Sequence, residues 1–364
     1  MEAIREIRLI RLIQINKKLT MISEKKIRFA VVGQGHIGKR HAEMILRNPQ
    51  SELAAVCDIR TAEECKTSYE GVTFYQSVDE LLEKENNLDV LNICTPNGLH
   101  ADMALKALEK GLHVVIEKPM ALTKSDAERV VFKSLEKHRH VFCVMQNRYS
   151  PPSVWLKSVI EQNILGHIFH VQINCYWNRD DRYYTHQNWH GDGQLDGGTL
   201  FTQFSHFIDI MYWLFGDIKN ISGLFRDFNH KKLTDFEDTG IVNFEFVNEG
   251  IGTINYSTSI YNENLESSMT IIGENGTIKV AGQYMNEVVY CNIKDYKMPT
   301  LEASAPPNDY GLYKGSAQNH HLVIENVAET LSGHCPISTN ALEGMKVVDI
   351  IERIYAVRDK VWKK

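Results

Sequence analysis

With 364 residues, 43% of them hydrophobic and 24% charged, the chain is long enough for two domains with real cores and has the composition of a soluble globular protein. A formal net charge of -6 gives no electrostatic reason to expect nucleic acid or an anionic membrane as partner, and no apolar run reaches membrane-spanning length. Its seven cysteines (57, 65, 94, 143, 175, 291 and 335) are scattered and lack CxxC spacing, which points to reduced thiols in a cytoplasmic setting and away from a zinc site or a disulfide framework.

Met1 to Thr20 carries Arg5, Arg8, Arg11, Lys17 and Lys18 among Ile and Leu, without the apolar core or cleavage site of a signal peptide. Residues 1–24 are read as an ill-ordered extension, with Met21 as an alternative start and a basic membrane-surface helix as the rival reading. Ile27 to Val32 is a short apolar run that breaks at Gly33 and gives way to a helical pattern near His36. The glycines fall as Gly33-x-Gly35-x-x-Gly38: a tight turn, a place for a pyrophosphate, and close packing of helix on strand. Phosphates would then meet the helix N-terminus, where free N–H groups favour anions. A second strand, Leu53 to Cys57, ends at Asp58, where an acid takes the adenosine ribose hydroxyls; Arg60, two residues on, could instead swing onto a 2′-phosphate.

A helix over Thr61 to Tyr69, a strand at Val72–Gln76 and a capping box at Ser77–Glu80 follow. Further strands are predicted at Leu88–Pro96, His113–Pro119 and Val141–Gln146, alternating with helices at about His100–Lys110 and Ser125–Lys137. Strand–helix alternation implies right-handed crossovers and a doubly wound parallel sheet, so residues 25–148 read as a Rossmann domain. Residues 149–364 form a second, α+β domain for substrate binding and oligomerisation, its boundary marked by Pro151-Pro152. There a helix (Val154 to Gln162), an aromatic-rich strand (Ile168 to Trp177), a glycine-rich loop and a helix over about Thr199–Phe215 precede alternating segments. These lie at Val242–Phe246, Gly252–Ser257, Met269–Ile272, Thr277–Val280 and Glu287–Asn292, and predict an open, mainly antiparallel sheet. Two terminal helices, about 317–331 and 341–357, close the chain. If they serve the Rossmann core, one sheet face carrying some of Val242, Phe244, Phe246, Ile254, Tyr256 and Ile271 is left for a second subunit.

Ligands of doubly wound sheets bind at the carboxyl ends of the strands. Three stretches arrive there: Cys94-Thr-Pro-Asn-Gly-Leu-His100, Glu117-Lys118-Pro119 and Gln146-Asn-Arg-Tyr149. A lysine held rigidly at a strand end can polarise an alcohol or carbonyl oxygen, and burial lowers its pKa. In the second domain Thr202, His206 and Asp209 fall at i, i+4 and i+7, which on one helix share a face, and a histidine there can trade a proton with a hydroxyl. A satisfied core histidine is the plainer alternative. His320-His321 is no metal pair by spacing, because adjacent helical residues do not face one site.

Taken together, the glycine fingerprint, Thr95-Pro-Asn with His100, Glu117-Lys-Pro119 and the Gly-Gly…His206…Asp209 segment resemble the glucose–fructose oxidoreductase / inositol dehydrogenase / MocA family. The resemblance runs from Lys25 onward and implies NAD (or NADP) as cofactor, dimers or tetramers, and Lys118 and His206 as the catalytic pair. It places Gly33, Gly35, His36, Ile37, Gly38, Asp58, Arg60, Thr95, Pro96, Asn97, His100, Glu117, Lys118 and Gln146 at the cofactor. The substrate falls to Lys118, Asn147, Arg148, Tyr149, Tyr184, Trp189, Thr202, Gln203 and His206. Inositol dehydrogenases have Asp where this chain has Thr202; Thr202-Gln203 and the aromatic run from Tyr183 to Trp189 look more like the nucleotide-sugar branch, whose members oxidise C3 of UDP-N-acetylglucosamine or its uronate. The expectation is thus a hydride-transferring sugar dehydrogenase, against an inositol or free-sugar dehydrogenase and a cofactor-binding regulatory protein without turnover.

Overall fold

In the computed structural model of the chain, which describes residues 26–185, 189–311 and 313–362, the apolar run after Lys26 becomes the central strand of a parallel sheet. The amino-terminal extension lies outside the described residues. The first half runs β1 (Ile27–Val32), α1 (His36–Arg47), β2 (Ser51–Cys57), α2 (Ala62–Cys65), β3 (Thr73–Tyr75) and α3 (Val78–Lys84). It continues through β4 (Val90–Ile93), α4 (His100–Glu109), β5 (His113–Ile116), α5 (Lys124–Lys137) and β6 (Val141–Cys143). The strand order is β3-β2-β1-β4-β5-β6 and every pairing is parallel. All four residues of β4 are buried, as are the last four of β1, which is why these strands read as unbroken apolar runs rather than alternating ones. The order reverses between β1 and β4, and that reversal opens a crevice at the carboxyl ends of the strands.

The second half begins with α6 (Pro151–Glu161), prolines filling its first turn, and β7 (Ile168–Tyr176). After α7 (Asp181–Tyr184), α8 (Thr199–Thr202) and α9 (Ser205–Phe215) come β8 (Ile218–Arg226), β9 (Thr239–Phe246), β10 (Ile251–Ser257), β11 (Glu266–Gly273), β12 (Gly276–Ala281) and β13 (Glu287–Ile293). They form one seven-stranded sheet, order β13-β12-β11-β7-β10-β9-β8, antiparallel except where β10 pairs with β7. A small hairpin of β14 (Pro307–Asp309) and β15 (Lys314–Ala317) leads to α10 (His320–Leu331) and α11 (Ala341–Val361). Both terminal helices return to the Rossmann half: Val323, Ile324 and Val327 of α10 join the core cluster of Phe29, Val31 and Ile45, and α11 packs along α5. No helix among the described residues is long and apolar enough to cross a membrane.

Several boundaries differ from the sequence reading. The helix expected over 61–69 stops at Cys65, where Lys66 turns left-handed (φ 50°). Both box bonds are made at Thr61 and Glu64, whereas Ser77 only accepts from the Glu80 amide. The predicted strands at 88–96 and 141–146 shrink to four and three residues, and Gln146–Tyr149 is a 3-10 turn. The helix expected over 199–215 breaks at Gln203 and Phe204. Strand β8 was not foreseen; it is an edge strand with mostly exposed or half-exposed residues, so it carries little apolar pattern.

Candidate active site

At the switch point the three glycines make a cradle. Gly33 sits at φ +90°, and a Cβ there would lie 2.4 Å from the Cys94 carbonyl oxygen. A Cβ on Gly38 would lie 1.7 Å from the Gly33 oxygen, so α1 can approach β1 only without a side chain. A Cβ on Gly35 would meet nothing within 4 Å: that space is open to a ligand at the N-terminus of α1. Asp58, at the end of β2, is 8% exposed and accepts from the Gln34 amide at 2.7 Å. Arg60 closes a fork on the same carboxylate, Nε to Oδ1 and Nη2 to Oδ2 at 2.9 Å each. Burial alone would raise the Asp58 pKa, but Arg60 and the two amide donors outweigh it and hold the acid ionised. These are the features a dinucleotide needs, so the residues present fit NAD: phosphates at Gly35 and the α1 N-terminus, ribose hydroxyls at Asp58.

The stretch after β4 is locked in place. His100 places Nδ1 at 2.7 Å from the Pro119 oxygen and Nε2 at 2.8 Å from the Thr95 oxygen, so it ties the two strand-end loops together. Burial lowers its pKa. Asn97 donates from Nδ2 to the Asp196 oxygen (2.8 Å) and to Thr202 Oγ1 (2.7 Å), linking the Rossmann half to the second domain. Glu117 is buried beneath Lys118. His41, His320 and Glu117 bring ligand-type atoms within 4.8 Å of one another. Hydrogen bonding accounts for two of the three: Asn92 Nδ2 donates to His41 Nδ1 at 2.9 Å, which leaves His41 Nε2–H to donate to Glu117 at 3.0 Å, while His320 Nε2 stands 3.6 Å from the same carboxylate oxygen. Burial opposes the Glu117 charge, yet the two imidazoles hold its pKa well below the carboxylate range. Its other oxygen accepts from the Lys118 amide at 3.2 Å and so fixes the lysine's backbone.

Lys118 Nζ donates to the Thr202 carbonyl oxygen at 2.5 Å, leaving its remaining N–H groups for a ligand. Burial lowers its pKa. His206, in the first turn of α9, is 2% exposed, and its Nδ1 has no partner among the described residues. Burial first, then the Lys118 charge, pushes its pKa well below 6.5, so the ring is a neutral base. Both residues line a cleft of about 1110 Å³ that runs from Gly33 and Asp58 to Trp189. Gly35, His36, Ile37, Arg60, Thr95, Pro96, Asn97, His100, Glu117, Gln146, Thr202 and Gln203 line it too.

Four expected substrate residues lie elsewhere. Arg148 points away from the cleft into a buried ion pair, with Nη2 at 2.6 Å from Asp209 Oδ1 and Nη1 at 2.6 Å from Glu343. Asn147 is buried against Ser316 and Ala317, and Tyr149 packs on the core cluster beside α10. Tyr184 is buried edge-on to Tyr183 at 5.0 Å and beside His230. The 3-10 turn at Gln146–Tyr149 causes the first three departures: it leaves Gln146 at the cleft and rotates its successors off it. Asp209 likewise shares no cleft face with His206, because it serves Arg148. Of the aromatic run from Tyr183 to Trp189, Tyr183 and Trp189 line the cleft, whereas reading the sequence missed Arg179 and the two tyrosines between β14 and β15, Tyr310 and Tyr313, which line it as well.

A cofactor cradle at the switch point, facing a lysine and a neutral histidine across one cleft, defines a nicotinamide-nucleotide-dependent oxidoreductase. The family model described as "Oxidoreductase family, NAD-binding Rossmann fold" matches residues 27–145, and that of the GFO/IDH/MocA C-terminal domain matches residues 154–279. The chain belongs to the GFO/IDH/MocA oxidoreductase family. Among solved structures, the WlbA dehydrogenase from Bordetella pertussis, in complex with NADH and UDP-GlcNAcA, is 32% identical with a TM-score of 0.81, over 92% of this chain and 98% of that one. WlbA from Chromobacterium violaceum, with the same ligands, is 29% identical with a TM-score of 0.82, over 93% and 96%. Glucose-6-phosphate 3-dehydrogenase from Bacillus subtilis is 32% identical over 52% of this chain and 54% of its own length.

Proposed function

We propose that the chain is an NAD-dependent dehydrogenase that oxidises a secondary alcohol of a nucleotide-linked sugar, at C3 of a UDP-N-acetylhexosamine or its uronate. The observation that carries this reading is the meeting of Lys118 and a neutral His206, its Nδ1 without a partner among the described residues, on the wall of one cleft. At about 1110 Å³ that cleft exceeds the roughly 300–1,000 Å³ of single-ligand pockets, so a dinucleotide leaves room for a second ligand. Full-length likeness to two enzymes solved with UDP-GlcNAcA supports the substrate class. Thr202 in place of Asp argues against the inositol reading.

When bound, NAD supplies the hydride acceptor. The chain's own residues do the rest. Gly35 and the α1 N-terminus hold the phosphates, and Asp58 orients the ribose. Lys118 Nζ, anchored on the Thr202 oxygen, aims its free N–H groups at the substrate oxygen and steadies the negative charge that develops there. His206 takes the hydroxyl proton on its imidazole, which burial keeps unprotonated. A panel of UDP-sugars, free hexoses and inositols assayed with NAD by NADH absorbance tests the reading: reduction only with UDP-sugars is expected. Reduction with inositols alone would move the chain to the polyol branch, and none with any alcohol would favour a cofactor-binding regulatory protein.

A further inference from the structure

Arg179 is among the largest fully buried side chains of the molecule, at 2% exposure, yet it lines the cleft. Its guanidinium is held by neutral groups only. Nε donates to Gln203 Oε1 at 2.7 Å, Nη1 to the Asn178 oxygen at 2.6 Å and Asn264 Oδ1 at 3.3 Å, and Nη2 to the Lys314 oxygen at 3.0 Å. The rings of Trp177, Tyr313 and Tyr183 lie 4.8, 4.9 and 5.2 Å from it. Carbonyl oxygens and ring faces stabilise a cation without cancelling its charge. No carboxylate bonds it among the described residues. Asp180, its sequence neighbour, is taken by Arg182, and Glu117 by His41. Asp196 accepts from Thr202 and Gly191, and the cation on which its charge acts is Lys118. One N–H of Nη2 is left over, and Lys118 adds a second cation on the same wall.

An unneutralised buried guanidinium in an open cleft is a binding site waiting for an anion. Its place decides which anion. Arg179 grips Gln203, the residue after Thr202, whose carbonyl anchors Lys118; it therefore stands at the reacting sugar, not beside the Gly35 cradle. We propose that Arg179 is a specificity-determining residue that receives a carboxylate on the sugar ring, so that the substrate is an acidic, uronate-type nucleotide sugar rather than its neutral counterpart. This rests on the dehydrogenase reading above and narrows it.

The test uses the full chain with NAD and three substrates: UDP-GlcNAcA, its C6 carboxamide, which keeps the shape without the charge, and UDP-GlcNAc. Wild-type kcat/KM should favour the carboxylate over the carboxamide by about 100-fold, and equilibrium binding in the presence of NADH should rank the ligands the same way. In Arg179→Gln, shown to be folded by its melting curve, the preference should fall to within about 3-fold; Arg179→Met, whose flexible chain also fills the aromatic slot, serves if the first variant does not fold. Equal use of all three by the wild type overturns the proposal while leaving the dehydrogenase intact, whereas no turnover of any UDP-sugar overturns the dehydrogenase reading itself. A preference that survives in the folded variants overturns the role of Arg179. An equal rise in KM for charged and uncharged sugars overturns it too, since the cation would then serve the shared diphosphate.

Discussion

At the scale of single residues, the cleft separates charges by burial. Lys118→Met and His206→Asn should each lower kcat by about 10²–10⁴ with cofactor affinity little changed; near-wild-type turnover in either folded variant would remove that residue from the chemistry. The protonation of His206 is open to direct measurement. Burial and the adjacent Lys118 charge depress its pKa, so the ring is neutral above that lowered value and the acid limb of kcat/KM should fall below pH 6.5. Taking away the lysine charge removes one of the two causes. The His206 resonance followed by NMR should therefore titrate at higher pH in Lys118→Met than in the wild type, and an unchanged or lower midpoint would show that Lys118 does not press on the ring. At the other end of the cleft, the buried Asp58 carboxylate repels a 2′-phosphate, and its fork with Arg60 holds that cation away from such a phosphate. NAD should accordingly bind about 10- to 100-fold more tightly than NADP, a difference of roughly 1–3 kcal/mol, and calorimetry with both nucleotides would decide it.

At the scale of elements, what could be read from sequence was what the backbone dictates locally. The Gly33–Gly38 turn, the Asp58 strand end and the Glu117-Lys-Pro119 strand end each carry their geometry within a few residues, so spacing alone pointed to them. Arg179 did not show itself, because Trp177 two residues before it is joined by three distant pieces around Gln203, Asn264 and Lys314 to make its setting. Arg148 misled for the opposite reason: it follows the cleft residue Gln146 in sequence, but the 3-10 turn sends it to Asp209 on α9 and Glu343 on α11. That triad joins three segments of the chain in the core. Asp209→Ala would leave the buried guanidinium with the Ser338 carbonyl oxygen and the partly exposed Glu343 as partners and should cost about 3–5 kcal/mol of stability. Replacing Arg148 and Asp209 together by Met and Leu should return most of it. Urea unfolding of the three proteins measures this, and an Asp209→Ala midpoint equal to wild type would show that Glu343 and the Ser338 oxygen compensate Arg148.

At the scale of the whole molecule, the seven-stranded sheet has two unlike faces. Val242, Phe244, Phe246, Ile254, Tyr256 and Ile271, expected in part to face a second subunit, are all buried, at 3% exposure or less. Register explains why: Val280, Met269, Ile173, Ile254 and Val242 lie side by side across five strands, and the row through Ile278, Ile271, Val171 and Phe244 points the same way, inward. The opposite face is the open one. Its middle rows are polar, with Asn255 Nδ2 bonded to Asn174 Oδ1 at 3.0 Å and Asn174 Nδ2 to Ser268 Oγ at 3.3 Å. Exposed Leu224 (64%), Ile241 (46%), Ile251 (58%) and Ile272 (38%) flank them. Such a mixture of apolar and hydrogen-bonding groups on a flat sheet is the composition of an interface between subunits rather than of a core. Two copies laid face to face would satisfy each other's residues symmetrically. The chain should therefore scatter light as a dimer or a tetramer, not as a 41.7 kDa species. Thr253→Arg, on the middle row between Asn243 and Gln172, puts a charge against its own symmetry mate and should split the assembly while leaving the melting curve of the fold in place. A wild-type monomer at micromolar concentration, or an arginine variant of unchanged mass, would show that this face is not where the copies meet.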